Sequence, residues 1–405
     1  MASRIRNAVA ALSSLREDHL ERHRPSGFDI AIADRVGLLN CEDWDRAAAG
    51  ASIFLQRRYL SALEAHAPAN VAPRYALVSE RGEVRAAVAA QLVSLSALDL
   101  TRKRAQPRML RAIGSAVRDR ALICGNLLSW GFHGVAFAPG CDPTPVWPGV
   151  AEVLYRVRRA ERLAGPTGIV MLKDVTALET AHAPALARFS YREVETEPNM
   201  VLAIDPRWKS YEGYLSSLDS KYRKAARQIA KEAEAAGCIA APMKDLGRAS
   251  ARMLDLYLQV QSQQSVRPVT MAPGYLPALA GALGDDFRCV GVSRRGELVG
   301  YVSMIRDRET AVGYFIGFDR AAAAEAPIYL QLLHCTVATA IEMGCSRLSL
   351  GRTALEPKAR LGAKPEPMSV WMRHRVPAVN WLLRAALGAV PHAEAPERDP
   401  FKREK

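Results

Sequence analysis

Apolar and polar positions along this chain alternate between strand-like and helix-like periods, and each half of the chain carries such a series. In the first half the pattern predicts a strand, two helices, a strand hairpin, a further strand, a helix and two strands. These segments are Phe28–Ala33, Cys41–Ala49, Ser52–Ala67, Arg74–Ser79 with Glu83–Leu95, Ala121–Trp130, Val146–Ala164, Thr167–Val175 and Tyr191–Ile204.

The second half repeats this order of elements without repeating the residues. Its predicted segments are Tyr211–Ala236, Cys238–Ala241, Ser250–Ser265, Phe287–Ser293 with Glu297–Ile305, Ala311–Phe318, Ile328–Met343 and Arg347–Leu350. We therefore expect two similar α/β domains, at residues 28–205 and 206–390, joined near Asp205.

The two ends of the chain are expected to contribute little to these domains. Residues 1–27 are predicted to form a flexible leader, and Val379–Val390 an amphipathic helix that packs on the second domain. Residues 391–405 contain too few apolar side chains to pack, so they are predicted to be a disordered tail.

The stretch Gly313–Ala363 holds the densest group of candidate functional residues. After the strand Ala311–Phe318, a polar loop leads into the helix Ile328–Met343, and a short strand then ends at the turn 351–353. Backbone N–H groups at a helix start are unpaired and carry partial positive charge, which suits an anionic ligand. Since ligands of α/β proteins collect at the carboxyl ends of strands, we expect the active region here.

Composition narrows the class of protein. A chain of 405 residues, 49% hydrophobic and 24% charged, is long enough for two globular cores. Its seven cysteines form no CxxC pair, so the sequence predicts neither a metal site nor a disulfide framework, as expected in a reducing cytoplasm. No run approaches the roughly 20 apolar residues that a membrane span requires.

The net charge of +13 is high. Such a charge permits nucleic acid, an anionic membrane surface or an acidic substrate as a partner. The most basic segment is the predicted insert Thr101–Arg120. Arginines are also interspersed with alanines along the whole chain, so a charge spread evenly over the surface explains the excess equally well.

Four stretches give the chain a resemblance to a known superfamily: GNLLSWGFHG (residues 125–134), YLSSLDSKYRKAARQ (214–228), the strand of Gly313–Phe318 with PIYLQLL, and LGRTALEPKARLGAKP (350–365). Together they resemble GNAT acyltransferases, and more closely the doubled Fem-type and FemAB-like families. The resemblance implies two tandem GNAT-like domains of α/β (α+β) class, each with a mixed, mostly antiparallel sheet flanked by helices. It also implies transfer of an acyl or aminoacyl group onto the amine of a small molecule or peptide.

The donor is left open between two classes. GNAT enzymes usually place glycines between the split strand and the next helix, so that backbone amides hold the coenzyme A pyrophosphate; here the segment is DRAAAAEAP, residues 319–327. An acyl-CoA donor and an aminoacyl-tRNA donor both fit the resemblance, and tRNA suits the positive charge. A third reading is a non-catalytic binding protein that kept the fold. Nothing in the residues indicates an oligomeric state.

The turn after the last strand supplies the first candidate binding residues. Arg352 and Lys358 are predicted to hold a phosphate or carboxylate, because arginine offers a bidentate fork and lysine a point charge. Gly351 and Thr353 flank the arginine where the strand ends. The alternative for these cations is ordinary surface charge on a loop.

Candidates for proton transfer are less clearly marked. Tyr329, at a predicted helix start, and Tyr314, on the glycine-flanked strand, could act on a proton or pack in the core. In the first half Asn126 and His133 bracket a glycine-rich turn, and an imidazole is the natural base near neutral pH. A structural role for His133 explains the pattern equally well.

One predicted helix carries a basic face. Lys221, Arg223 and Lys224 either contact an anionic donor or form a solvated surface.

The sequence shows no GxSxG elbow and no cysteine beside an evident histidine partner, which predicts direct attack without a covalent intermediate. Glu309 and Asp319 are further candidates for the base, on position alone.

Overall fold

The computed structural model describes residues 24–94, 120–264, 268–376, 379–380, 396 and 398–402. The predicted leader up to residue 23 lies outside the described residues, as do all of the basic insert except Arg120 and all of the predicted helix Val379–Val390 except its first two residues.

The described residues contain thirteen strands, which form one mixed sheet. They are β1 (Asp29–Ala33), β2 (Val71–Glu80), β3 (Glu83–Val93), β4 (Arg120–Cys124), β5 (Val135–Phe137), β6 (Thr167–Val175), β7 (Arg192–Ala203), β8 (Cys238–Pro242), β9 (Phe287–Arg294), β10 (Glu297–Asp307), β11 (Thr310–Phe318), β12 (Arg347–Ser349) and β13 (Lys364–His374). Only β4 with β6 and β11 with β12 are parallel among the paired strands of this part of the chain. The expected mixed and mostly antiparallel α/β class is confirmed.

Helices flank this sheet. Within the described ranges they are α1 (Cys41–Ala47), α2 (Arg57–Ala65), α3 (Trp147–Ala160), α4 (Ala177–His182), α5 (Pro184–Arg188), α6 (Tyr211–Ser217), α7 (Ser220–Ala235), α8 (Leu246–Gln261), α9 (Tyr275–Leu283), α10 (Arg320–Glu325), α11 (Ile328–Glu342) and α12 (Leu355–Arg360). Polar side chains cap several of them: Asn40 accepts hydrogen bonds from the first turn of α1, and Asp245 from that of α8. Such caps satisfy N–H groups that the helix leaves unpaired.

Two strands are exchanged between the halves of the sheet. The strand order is β1-β2-β3-β4-β6-β13-β7-β12-β11-β10-β9-β8, with β5 paired to β3 outside this path. The late strand β13 therefore lies between β6 and β7, and the early strand β7 lies between β13 and β12. The sheet is therefore hydrogen-bonded without a break from one half of the chain to the other. The division into two domains at residues 205 and 206 remains a prediction.

The central strand β13 is absent from the sequence-based prediction. Its segment KPEPMSVWMRH contains Pro365 and Pro367, and proline is rare in central strands because it cannot donate to the ladder. The structure accommodates Pro367 at a register shift between Glu366 and Met368 in the pairing with β7. A bulge therefore removes the need for a hydrogen-bond donor at that position.

Each parallel strand pair opens at one end. β11 and β12 pair only through Thr310–Val312, and β11 then continues to Phe318 while β12 stops at Ser349. In the first half β4 ends at Cys124, opposite Leu172, and β6 runs three residues further. These two openings agree with the split strand that the GNAT resemblance implies.

The largest hydrophobic cluster contains side chains from both halves. Trp44, Phe54 and Tyr59 from the first half are in it with Leu256 and Tyr275 from the second, and all are at most 1% exposed. Burial of aromatic groups of this size contributes strongly to stability. The halves are therefore joined by a common core as well as by a common sheet.

The predicted helix Tyr211–Ala236 is in fact two helices, α6 and α7. Leu218 ends α6 with extended backbone, φ −72° and ψ 146°, and forms a bridge with Phe401. The N–H of Asp219 donates to Pro400 O at 2.9 Å, and the N–H of Lys402 donates to Ser217 O at 3.0 Å. The break thus occurs where the C-terminal segment docks, and the prediction of a disordered tail is wrong for residues 398–402.

Loss of the Phe401 ring should destabilise the protein. The ring lies 5.3 Å from the Trp208 ring and touches the backbone at Gly362. Because Phe401 is only partly buried, we expect Phe401→Ala to reduce the free energy of unfolding by about 2 kcal/mol in a urea titration. Arg398→Ala is the matched control in the same segment, since its ion pair with Glu356 is exposed to solvent and should add little to stability. Equal stability of Phe401→Ala and wild type would show that the docked segment contributes nothing.

Candidate functional site

The glycine-rich loop of the first half (residues 125–134) contacts the turn of the second half at residues 351–353, which we call the GRT turn. Trp130 Nε1 donates to Ser349 Oγ at 2.8 Å, across 219 positions of sequence. The Trp130 ring also lies over Gly351, where an added Cβ would be 3.2 Å from the indole. Gly351 has φ +76°, so both its backbone and its close neighbour favour glycine. The two segments singled out from sequence are therefore in contact.

Asn199 of β7 holds the GRT turn from the other side. Its Oδ1 accepts from Ser349 Oγ at 3.1 Å and from the N–H of Gly351 at 3.0 Å. Asn199 is 9% exposed, and hydrogen bonds to a buried amide oxygen have little competition from water. The position of Arg352 is thus set by β7, β12 and the first-half loop together.

A fully buried carboxylate, Asp174, is the centre of the site. Its backbone is left-handed, with φ +59°, at the end of β6. The carboxylate forms ion pairs with Lys173 and Arg352 and accepts from the N–H of Gly131 at 2.9 Å. Lys173 Nζ also donates to Ser129 O at 2.7 Å. We call Asp174, Lys173 and Arg352 the Asp174 cluster.

The Asp174 cluster holds two cations around one anion. Burial, followed by the charge of Arg352, lowers the pKa of Lys173 well below its usual value. Burial also lowers the pKa of Arg352, to about 10. Arg352 Nε is buried and has no hydrogen-bond partner among the described residues. Since a buried donor without a partner is costly, the cluster is suited to receive an additional acceptor or negative charge.

Lys358, on α12, is buried directly beneath the GRT turn. It is 5% exposed, and its Nζ donates to Gly351 O at 3.1 Å. Burial lowers the pKa of Lys358 to about 7, and the charge of Glu197 opposes this shift. Near neutral pH the side chain therefore exists in both protonation states, which is what a group that accepts and returns a proton requires.

His133 packs against the backbone of the glycine-rich loop at Trp130. Its Nε2 lies 2.8 Å from Trp130 O, so Nε2 carries the proton, and its ring lies 4.3 Å from the Phe54 ring. Burial lowers the pKa of His133 to about 4, although the charge of Asp307 raises it. The imidazole is therefore neutral at pH 7, and its contacts position Trp130.

Asn126 and Tyr314, from different halves, are connected through Tyr59. Asn126 Nδ2 donates to Tyr59 Oη at 2.5 Å, and the hydroxyls of Tyr59, Tyr275 and Tyr314 lie 2.7–2.9 Å from one another. Burial raises the pKa of Tyr314 well above its usual value. Phe54 lies between this group and His133, with ring distances of 5.7 Å to Tyr314 and 4.3 Å to His133. These contacts join the halves inside the core.

The remaining candidates lie around α7 and α11. Tyr329 packs 5.7 Å from the Phe318 ring, and burial raises its pKa to about 12. Arg223 Nη1 donates to Leu218 O at 3.1 Å, while Lys221 and, in the turn itself, Thr353 are exposed. Within the described part of the chain, no hydrogen bond or ion pair joins Tyr329, Lys221 or Arg223 to the Asp174 cluster.

The segment at the usual place of the coenzyme A phosphate loop forms the short helix α10. Asp319 Oδ1 accepts from the N–H groups of Ala321 and Ala322 at 3.0 and 3.1 Å, and Asp319 Oδ2 accepts from Arg252 Nη2 at 2.9 Å. The hydrogen bond from Ala322, and then that from Arg252, lower the pKa of Asp319. The first amides of α10 are therefore occupied by a carboxylate of the chain itself, and Asp319 is a poor proton acceptor.

Sequence reasoning missed four residues of this site: Asp174, Lys173, Trp130 and Asn199. One signal was available, because Lys173 and Asp174 interrupt the apolar run TGIVML just before β6 ends. A charged pair at that place indicates either a strand end or a buried ion pair, and only the fold distinguishes these.

The second-half residues of the site fall in a segment that matches a known family. Residues 220–359 match the family described as "Acetyltransferase (GNAT) domain". The matched segment contains the split strand β11, the helix α11, the GRT turn and Lys358. A search of curated proteins by sequence found no match.

The fold of FemX extends the likeness to the first half of the chain. FemX superposes with a TM-score of 0.53 at 9% identity, over 85% of this chain and 98% of FemX, and therefore shares the fold. A tandem GNAT protein from the clavulanic acid biosynthesis pathway gives a TM-score of 0.49 at 13% identity over 86% of this chain and 99% of that one. The predicted GNAT and Fem-like resemblance is confirmed by the family match and by the fold of FemX.

Two structural features are absent from the described residues. No helix among them combines the length and the apolar character needed to cross a membrane. Within the same residues, no group of three or more histidine, cysteine, aspartate and glutamate side chains is arranged to hold a metal ion.

Proposed function

We propose that the protein is an N-acyltransferase that moves an acyl group from an activated donor onto the amine of a small molecule or peptide. The observation that carries this proposal is the meeting of the first-half loop with the GRT turn. It places Arg352 and Lys173 against buried Asp174, with Lys358 beneath the same turn at Gly351. The GNAT match of residues 220–359 supports the reaction class.

In this reaction the amine nitrogen attacks the acyl carbonyl carbon. A C–N bond forms, and the bond to the leaving sulfur or oxygen breaks with its electron pair. The neutral amine of Lys358 takes the proton that the nitrogen loses and returns it to the leaving group. Arg352 supplies positive charge where the carbonyl oxygen becomes negative, in a site with little water to weaken the attraction.

Two donor classes fit this chemistry, an acyl-CoA and an aminoacyl-tRNA. An acyl-CoA agrees with the GNAT match, and its acyl arm would enter the split between β11 and β12. The Asp319 carboxylate at the start of α10 favours the aminoacyl-tRNA, because it occupies the amides that a pyrophosphate would need. The exposed lysines Lys221 and Lys224 of α7 would suit an RNA backbone.

Binding measurements with both donors test the proposal. Calorimetry with acetyl-CoA and a longer acyl-CoA should give heat if the donor is a thioester, and a gel shift with tRNA at low salt should appear if it is an aminoacyl-tRNA. For the donor that binds, Arg352→Ala should weaken binding about tenfold or more, since charge-assisted hydrogen bonds are lost.

The matched control is Arg360→Ala on α12, because Arg360 is exposed and paired with Glu356. It should bind the donor as the wild type does, and circular dichroism should show both variants folded. Absence of binding to any thioester and to tRNA would contradict the proposal and favour a binding protein without catalytic activity.

A further inference from the structure

A cavity lies between α3 and β6 of the first half of the chain and the exchanged strand β13. Its volume is about 260 Å³, and its apolar lining includes Ala151, Val170 and Phe189. Val170 precedes Asp174 by four positions in the same strand, or about 13 Å along it. The cavity is thus separate from the proposed acyl-transfer site, and it lies outside the family match at residues 220–359.

The charged lining of this cavity is strongly one-sided. Against the single carboxylate of Glu152 it contains five guanidinium groups, those of Arg24, Arg156, Arg158, Arg159 and Arg373. A concave surface with charge of one sign concentrates ions of the opposite sign, because its low-dielectric walls focus the field. An anionic ligand is therefore expected.

The Glu152 carboxylate is already satisfied by the chain itself. Its Oε2 accepts from the N–H of Ser26 at 2.6 Å, and its Oε1 accepts from Arg156 Nε and Nη2 at 2.9 and 2.7 Å. This carboxylate thus pairs with Arg156 and not with Arg158 or Arg159.

Arg158 and Arg159 are the next two arginines of the lining. No carboxylate among the described residues forms an ion pair with either. Arg158 lies over the Tyr155 ring, with 5.6 Å from Cζ to the ring centroid, so a cation–π attraction helps to position its guanidinium group. Burial raises the pKa of Tyr191, whereas the charges of Arg373 and Arg158 lower it, so both guanidinium groups act near its hydroxyl.

We propose that this cavity binds a nucleoside phosphate, with the phosphate held by Arg158 and Arg159 and the base against the apolar lining around Phe189. Guanidinium forks match phosphate oxygens in pairs, which favours a phosphate over a spherical anion. The aromatic and aliphatic lining favours a flat, weakly polar group beside it. A volume of about 260 Å³ is near the lower end of small-molecule sites and suits one nucleotide rather than a nucleic acid strand.

Calorimetric titration of the full chain with AMP and with UMP tests this site. We expect saturable binding of at least one of them, and we expect adenosine, uridine and inorganic phosphate to bind about tenfold or more weakly. Arg158→Ala should weaken nucleotide binding about tenfold, because it removes charge-assisted hydrogen bonds to the phosphate. Arg158→Lys keeps the charge without the fork and should fall between Arg158→Ala and the wild type.

Arg162→Ala is the matched control, because Arg162 is exposed, follows the same helix and does not line the cavity. It changes the net charge as Arg158→Ala does and should leave binding unchanged. The proposal is overturned if neither nucleotide binds, if inorganic phosphate binds as tightly as the nucleotides, or if both variants weaken binding equally. A thermal melt of Arg158→Ala that matches the wild type excludes unfolding as the cause of lost binding.

Discussion

Lys358→Met should reduce the rate of acyl transfer about 100-fold or more, because it removes the group proposed to take the proton from the attacking amine. Methionine has a similar length and carries no charge, so it can occupy the buried place beneath Gly351. The rate is measured with the donor that binds in the experiments above and with a panel of primary amines.

The pH dependence of the acyl-transfer rate is a second test of the role of Lys358. Burial lowers the pKa of Lys358 to about 7, so the wild-type rate should rise with pH up to about 7 and then level off as the neutral amine becomes the main form. Lys358→Met should lose this step in the profile.

The same pKa predicts a linked effect on stability. The unfolded chain binds a proton at Lys358 up to a pH of about 10.4, while the folded protein releases it above about 7. Between these values the unfolded state holds more protons, so this side chain makes stability rise with pH. In urea titrations Lys358→Met should remove that rise.

Lys364→Met is the control for these measurements, because Lys364 is exposed and donates only to Arg398 O at 2.7 Å among its described contacts. It should keep both the rate and the pH profile of the wild type. If Lys358→Met also kept them, Lys358 would have no part in proton transfer.

Asp174→Ala should reduce the free energy of unfolding by about 3–5 kcal/mol, the second large effect expected here. Asp174 is fully buried between Lys173 and Arg352, and its removal leaves two cations in the interior without their common partner. It also leaves the N–H of Gly131 without its acceptor. Urea unfolding followed by circular dichroism measures this loss.

A double-mutant cycle separates the ion pair from general damage to the core. Asp174→Asn with Arg352→Met removes the anion and one cation together, so the pair of substitutions should cost less than the sum of the two single ones. Asp45→Ala is the control, since the exposed pair of Asp45 and Arg57 should contribute under about 1 kcal/mol. A loss below about 1 kcal/mol for Asp174→Ala would show that the Asp174 cluster is not held by its charges.

Much of the fold was predictable because it depends on local pattern. The strand β6 has the predicted limits Thr167–Val175, and the hairpin of β9 and β10 was also predicted. Alternating residues and turn glycines report on contacts within a few positions of the chain. The break between α6 and α7 was not predictable in this way, because Leu218 pairs with Phe401 at the far end of the chain.

The candidate site was predictable in part for the same reason. Gly351, Arg352 and Lys358 were identified from a motif at a strand end, and Asn126 and His133 from a glycine-rich turn. Their contact through Trp130 was not foreseen, nor was the central place of Asp174. A side chain that pairs across 219 positions leaves no periodic signal in sequence.

The sequence by itself determined the α/β class, the order of most elements, the GNAT resemblance and the cationic GRT turn, because these follow from residue pattern and a short motif. The tertiary structure alone decided that β13 lies between β6 and β7, that Asp174 joins Lys173 and Arg352, and that Lys358 has a pKa of about 7. Strand order depends on pairing between distant segments, and a buried charge takes its pKa from every group packed around it. Neither quantity is a property of any local stretch of the chain.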